Sequence, residues 1–299
     1  KQMDFMLKHQ VINAMIVDFV QRENTPHLFL SSLIDGCIDN GKDMTWGGSK
    51  WGATPILMAG LATAANSLTA VKHQVFDLKK LDMKKLNEIL DGNFEGADGV
   101  KLQTELLNEP KYGNDNDYAD EVMCKLTDMF FEEIEKHKDI DGRNYTSMIL
   151  TLGGTVPHGW KTGATADGRK ATMPVSDSMS PSNEGGSEGP TAVLLSASKI
   201  DQSHILEGNV LNLKLSKTAI ASKESKKKLM SLVSIYFNSL NGQEVQFNVV
   251  SSETLKDAQE HPENYKDLII RVAGYSARFV ELARELQNDI IARAEHETI

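Results

Sequence analysis

The chain has 299 residues, 40% of them hydrophobic and 25% charged, the balance of an ordinary globular protein with room for one large domain or two smaller ones. A net charge of −10 argues against nucleic acid as the principal partner, because phosphate contacts need clustered Lys and Arg. There is no apolar run of about eighteen residues to span a membrane, and the first residues lack the apolar core of a signal peptide.

Residues 3–21 set Phe5, Met6, His9, Ile12, Met15, Ile16 and Phe19 at helical spacing, which predicts a helix packed on a core. Thr25-Pro26 is a helix start for 28–38. The glycine-rich loop that follows, with Gly41, Gly47, Gly48 and Gly52, lacks the order of a phosphate loop. Pro55 is expected to open a small-residue helix to about residue 75. Two short amphipathic helices are expected within 81–108 and a longer one over 118–137. Between them, Asn114-Asp115-Asn116-Asp117 invites a calcium reading, but Ala119 and Lys125 stand where an EF-hand needs Gly and Glu. Capping of the next helix explains these side chains better.

A buried strand is expected at 147–151, then a long irregular stretch to 189 rich in Gly and Pro, of a length that usually carries function. Helices follow at 190–198, 223–239, 254–260 and 281–296, and strands at 209–215, 244–250 and 267–272. The basic run Lys226-Lys227-Lys228 reads as a solvated helix face. Strands alternating with helices predict an α/β fold with parallel strands. Cys37 and Cys124 are too few and too far apart in sequence for a disulfide framework or a zinc site, and no metal site is expected. Two lone thiols and twelve methionines suit a reducing cytoplasm, which makes the sequon at Asn144 a chance match. Because it begins at Lys1 rather than methionine, the chain is expected to be a processed or truncated piece.

One stretch stands apart: Arg271-Val272-Ala273-Gly274-Tyr275-Ser276. Taken alone, Gly274 is a turn glycine. The stretch nevertheless resembles the radical loop of glycyl radical enzymes, and other landmarks of that family occur in the family's order. They include Asp35-Gly36-Cys37-Ile38, Asn66-Ser67-Leu68-Thr69-Ala70-Val71-Lys72, Lys111-Tyr112-Gly113-Asn114-Asp115, Asp167-Gly168-Arg169, Gly189-Pro190-Thr191-Ala192 and Gln246-Phe247-Asn248-Val249. Together they cover essentially the whole chain, and on them it is identified as a member.

The resemblance implies part of a ten-stranded α/β barrel, the second half-barrel with its helices, followed by a glycyl radical loop. It divides the chain into barrel (1–240) and glycine radical domain (241–299). It implies that a radical S-adenosylmethionine iron–sulfur activating enzyme removes a hydrogen from Gly274, with no cofactor bound by the chain itself. The glycyl radical then draws hydrogen from a cysteine upstream in family order, and the resulting thiyl attacks a small substrate. Neither Cys37 nor Cys124 lies in that cysteine's motif, so the missing N-terminal portion of the enzyme is an expected partner, and a homodimer is the assembly the family suggests. The strand before Gly274 is expected to carry it into the interior. Gln246 and Asn248, two apart on one strand face, are candidates to hold the loop backbone, with capping of buried amides as the alternative. Thr155, Val156 and His158 align with a family stretch beside the substrate, though a lone loop histidine also has a structural reading. Asp167 and Arg169 are expected to form an ion pair within a turn. The Val-Ala-Gly-Tyr-Ser order is similar to the diol dehydratase and lyase branches. The pyruvate formate-lyase (formate acetyltransferase) branch, a non-catalytic radical-bearing subunit and a degenerate fragment are the alternatives.

Overall fold

Residues 1–183 and 185–299 are described by a computed structural model, in which helices and strands alternate as the sequence pattern requires. In chain order the elements are α1 (Gln2–Asn24), α2 (Leu28–Ser31), α3 (Cys37–Asn40), β1 (Thr54–Leu57), α4 (Leu61–Val71), α5 (Met83–Asp91), α6 (Gly96–Leu107), α7 (Asp117–Ile134) and β2 (Tyr145–Met148). They continue with α8 (Thr155–Trp160), α9 (Pro190–Ser198), β3 (Asn212–Leu215), α10 (Lys223–Asn238), β4 (Gln246–Val249), α11 (Ser252–Glu260), β5 (Ile269–Arg271), β6 (Ser276–Arg278), α12 (Arg284–Ala292) and β7 (Glu295–His296). The chain divides into two compact units. The first comprises Lys1–Leu57, Thr127–Met148 and Ser203–Glu207, and the second Met58–Leu126, Ile149–Gln202 and Gly208–Ile299.

In the first unit β1 pairs in parallel with β2, from Thr54↔Tyr145 to Leu57↔Met148. This corrects the helix expected from Pro55: a proline without an N–H fits a strand with a single partner, and α4 starts only at Leu61. The helix expected over 28–38 is also broken. At Gly36 the backbone turns to φ +92, and a Cβ there would lie 2.6 Å from the Lys50 amide nitrogen, so the chain must leave the helix to pass that loop. A third correction concerns α1. Its buried residues are Leu7 and Val11, whereas Phe5, Ile12, Ile16 and Phe19 are 54–61% exposed. At about 100° per residue those four lie roughly 130° around the helix from the buried pair, so the expected core stripe is a second face, uncovered in this chain. Cys37 is buried in this unit.

The second unit is built on a parallel sheet in the order β4-β3-β7, with β3 central. All four residues of β3 are buried, as in parallel sheets covered on both faces. Its polar members are therefore inside with partners: the Lys214 Nζ donates to Ser252 Oγ and to the Ile291 carbonyl, each at 2.9 Å. The C-terminal helix ends at Ala292 rather than 296. Arg293 is extended (φ −58, ψ 140), and Glu295–His296 join the sheet as β7 beside Lys214 and Leu215. Helix α4 passes into a π-helical turn, Lys72–Asp77, from which His73 Nδ1 and Gln74 Nε2 both reach the buried Glu109, each at 2.5 Å.

The Asn116 side chain caps α7 by accepting from the Tyr118 amide at 3.0 Å. Asp115, Asp117 and Asp120 converge on the Lys199 ammonium, each at 2.8 Å, so a lysine occupies the centre of that acidic cluster. The bonds described for the Arg169 guanidinium run to Thr165 Oγ1 and to carbonyls such as that of Met173, not to the Asp167 carboxylate, which accepts instead from Thr165 Oγ1 and the Arg169 amide. The turn is held by carbonyls rather than by the expected ion pair. Cys124, half-buried on α7, donates to the Lys199 carbonyl at 3.2 Å. Among the described residues no helix is long and apolar enough to cross a membrane.

Candidate functional site

Strands β5 and β6 form an antiparallel hairpin with Arg271 opposite Ser276, and Gly274 sits at its tip. The apolar alternation of 269–272 explains the approach: Ile270 packs with Val250, Leu255, Phe279 and Ile290, and Val272 and Ala273 are 0% exposed. The chain then reverses, with the Val272 amide donating to the Tyr275 carbonyl at 2.8 Å. Gly274 takes φ +77, a left-handed conformation that costs an L-residue about 1–2 kcal/mol. A Cβ built on it would meet Leu150 at 3.5 Å and Val210 at 3.7 Å, ordinary contacts, so conformation and not crowding asks for glycine here. In this chain taken by itself, the burial expected of the strand stops one residue short of Gly274. Burial ends at Ala273, and the turn brings Gly274, Tyr275 and Ser276 back to an exposed edge.

The root of the hairpin is fixed by side-chain amides from the neighbouring sheet. Asn248 accepts from the Arg271 amide and donates to its carbonyl, both at 2.8 Å, so one asparagine imitates a strand neighbour. Gln246, on the same face of β4, accepts from Arg271 Nε at 3.1 Å and donates to Asn212 Oδ1 at 2.5 Å. Arg271 Nη1 reaches Ser276 Oγ across the hairpin at 3.3 Å. Of the two positions singled out from strand spacing, Asn248 meets the backbone of Arg271, whereas Gln246 meets its side chain.

Sequence reasoning missed the second set of restraints. The Val272 carbonyl accepts from Arg293 Nη1 at 2.9 Å and from Asn212 Nδ2 at 3.1 Å. Arg293 Nη2 lies 3.2 Å from Asp177 and 3.3 Å from Asp289. Asp177 also accepts from Thr151, from Ser178 at 2.9 Å and from Asn212 at 2.6 Å. Burial pushes the Asp289 carboxyl above its usual range, against the Arg293 charge that holds it down. Burial alone would lower the Arg293 guanidinium, but Asp177 and then Asp289 outweigh it and raise it. Two signals for this cluster were readable: Asn212 is polar amid Val210, Leu211 and Leu213, and Asp289 and Arg293 are opposite charges four apart, one in the last helix and one just past its end.

Of the residues expected beside a substrate, Thr155 and Val156 are buried at the start of α8 and His158 is exposed on it. The Thr155 hydroxyl points to Asp289 Oδ2 at 3.3 Å. His158 packs beside Gly154, and the bonds described around it are helical ones through its backbone.

Residues 1–159 match the family model described as pyruvate formate lyase-like, and residues 175–280, which include the hairpin, match that described as glycine radical. The chain belongs to the glycyl radical enzymes. It is 37% identical to the trans-4-hydroxy-L-proline dehydratase of Clostridioides difficile over 99% of its length and 37% of that protein's. It is 38% identical to the isethionate sulfite-lyase of Bilophila wadsworthia over 80% of its length and 29% of that protein's. A solved structure of 1,2-propanediol dehydration in Roseburia inulinivorans superposes with TM-score 0.95 at 36% identity, covering 99% of this chain and 38% of that one. The fold is therefore the α/β fold of glycyl radical enzymes, whose full architecture is a barrel. The chain matches only 29–38% of the length of these relatives.

Proposed function

We propose that Gly274 stores the radical of a glycyl radical dehydratase or lyase, of which this chain forms the C-terminal part. The observation that carries the reading is the backbone at Gly274: an accessible left-handed glycine at a hairpin tip, inside the matched glycine radical region, with its root clamped on both sides. A side-chain-free Cα can become planar and delocalise an unpaired electron between the adjoining amide and carbonyl. An exposed Cα–H can be reached by an activating enzyme that uses S-adenosylmethionine and an iron–sulfur cluster, and it can afterwards be covered by the rest of the enzyme.

In this reading residues 241–299 are the radical domain, supported by their own apolar cluster around Ile270, Val272 and Phe279. Arg271, Val272, Ala273, Tyr275 and Ser276 shape the loop, and Gln246 and Asn248 hold it. Val156 and His158, with Thr155 beneath them, form the substrate side. The thiyl cysteine is assigned to the portion of the enzyme beyond this chain, because neither Cys37 nor Cys124 lies in that cysteine's motif. Turnover accordingly needs that portion, an anaerobic cytoplasm and a small hydroxylated, aminated or sulfonated substrate. Anaerobic incubation of the chain with an activating enzyme should give an electron spin resonance doublet, split by the single Gly274 α-hydrogen. The doublet should collapse in protein labelled with α-deuterated glycine. A signal that persists in Gly274→Ala would overturn the assignment.

A further inference from the structure

The radical hairpin and the short helix α8 end on the same buried ions. On one side, the Val272 carbonyl accepts from Arg293 and Asn212. On the other, the Thr155 hydroxyl at the first turn of α8 donates to Asp289, which also faces Arg293. Asp177 closes the ring, with Arg293 and Asn212 on its Oδ2 and the Thr151 and Ser178 hydroxyls on its Oδ1. The side chains of Arg293, Asp177 and Asp289 are only 11%, 6% and 3% exposed. The two segments also touch at Tyr275, whose hydroxyl lies 3.3 Å from where a Gly153 Cβ would stand.

Burying a cation and two carboxylates is costly, and such sets are retained where they fix one arrangement among several. A neutral donor alone would satisfy the Val272 carbonyl. A guanidinium held between two carboxylates does more, because its planar fork has one orientation that serves both acids and the carbonyl. Most of the side-chain restraints fall on Arg271 and Val272, at the root, with one more reaching Ser276 across the hairpin. Arg293 and Asn212 thus hold the Val272–Ala273 peptide, from which the chain reaches the Gly274 Cα through Ala273 alone.

We infer that Thr155, Asp289 and Arg293 form a positioning relay through which the α8 segment governs the orientation of Gly274. The relay rests on the reading of Gly274 as the radical store, and it adds that anything settling on α8 tightens the hairpin. Thr155 touches neither the hairpin nor, in this relay, a reacting atom; it acts through Asp289.

Hydrogen–deuterium exchange at the Val272 amide tests the relay in the 299-residue chain. Thr155→Val keeps the shape and removes the donor. It should speed exchange there by about tenfold, the equilibrium change carried by one hydrogen bond to a charged group. Thr155→Ser should restore the wild-type rate, and Thr162→Val, which removes a hydroxyl bonded only within the α8 turn, should leave it unchanged. Thermal melts of each variant separate this local effect from global unfolding. Radical yield on activation should fall with Thr155→Val and return with Thr155→Ser. Unchanged hairpin exchange and equal radical yield in Thr155→Val overturn the relay while leaving the radical assignment standing. Coupled exchange with no glycyl signal in the wild-type chain overturns the radical assignment and leaves the coupling.

Discussion

At single residues, polar groups placed inside the sheet decide the chemistry of the site. Lys214 is the clearest titrating case: burial lowers its ammonium from 10.5 to about 8, with Glu295 opposing and Arg293 assisting the shift. Below pH 8 both the folded and the unfolded chain hold this proton, and the fold bears the full cost of a buried charge. Between pH 8 and 10.5 the unfolded chain still binds the proton that the folded chain has released, so this group makes stability rise with pH across that window. Urea unfolding of wild type against Lys214→Met should show a stability difference that changes in the variant's disfavour through pH 8–10. A constant difference would show that Lys214 titrates normally. Gly274 differs in kind, because its requirement is a backbone angle and an exposed α-hydrogen rather than a charge.

Among the elements, the long helices follow local signals. Helix α10 begins at a Ser222–Ser225 capping box, and α9 begins with Pro190 at its first position. The hairpin does not hold itself: six strand residues cannot form a stable isolated ribbon. Its docking to β4 depends on Asn248, which supplies both hydrogen bonds a neighbouring strand would give to Arg271. Asn248→Leu should therefore cost about 2 kcal/mol, the penalty for leaving an amide and a carbonyl without partners. It should also raise proteolytic cutting between β5 and β6. A variant with wild-type unfolding and an intact hairpin would show that apolar packing alone seats it. Element ends were less legible: β1 and β7 are short and polar or proline-containing, and only their partners β2 and β3 make them strands.

For the molecule as a whole, the outstanding feature is apolar surface with nothing over it. In the first unit α1 turns Phe5, Ile12, Ile16 and Phe19 outward, a face of the sort that in soluble proteins marks an interface. Relatives matched by this chain are more than twice as long, so polypeptide able to cover such a face exists in the family. The chain by itself should self-associate at micromolar concentration, and Ile12→Glu with Ile16→Glu should shift its sedimentation towards monomer. A wild-type chain that sediments as monomer throughout would show that this face is tolerated bare. The sequence by itself determined the α/β alternation, the family, the glycine that carries the proposed chemistry and the strand face bearing Gln246 and Asn248. Each of these is written in local order or in spacing along one element. Only the tertiary structure decided that Gly274 emerges at an exposed tip, that α1 is covered on one face alone, and that Thr151, Thr155, Asp177, Asn212, Asp289 and Arg293 meet beneath Val272. Those residues come from four separate stretches, and groups that far apart in sequence find one another only when the fold takes them out of water together.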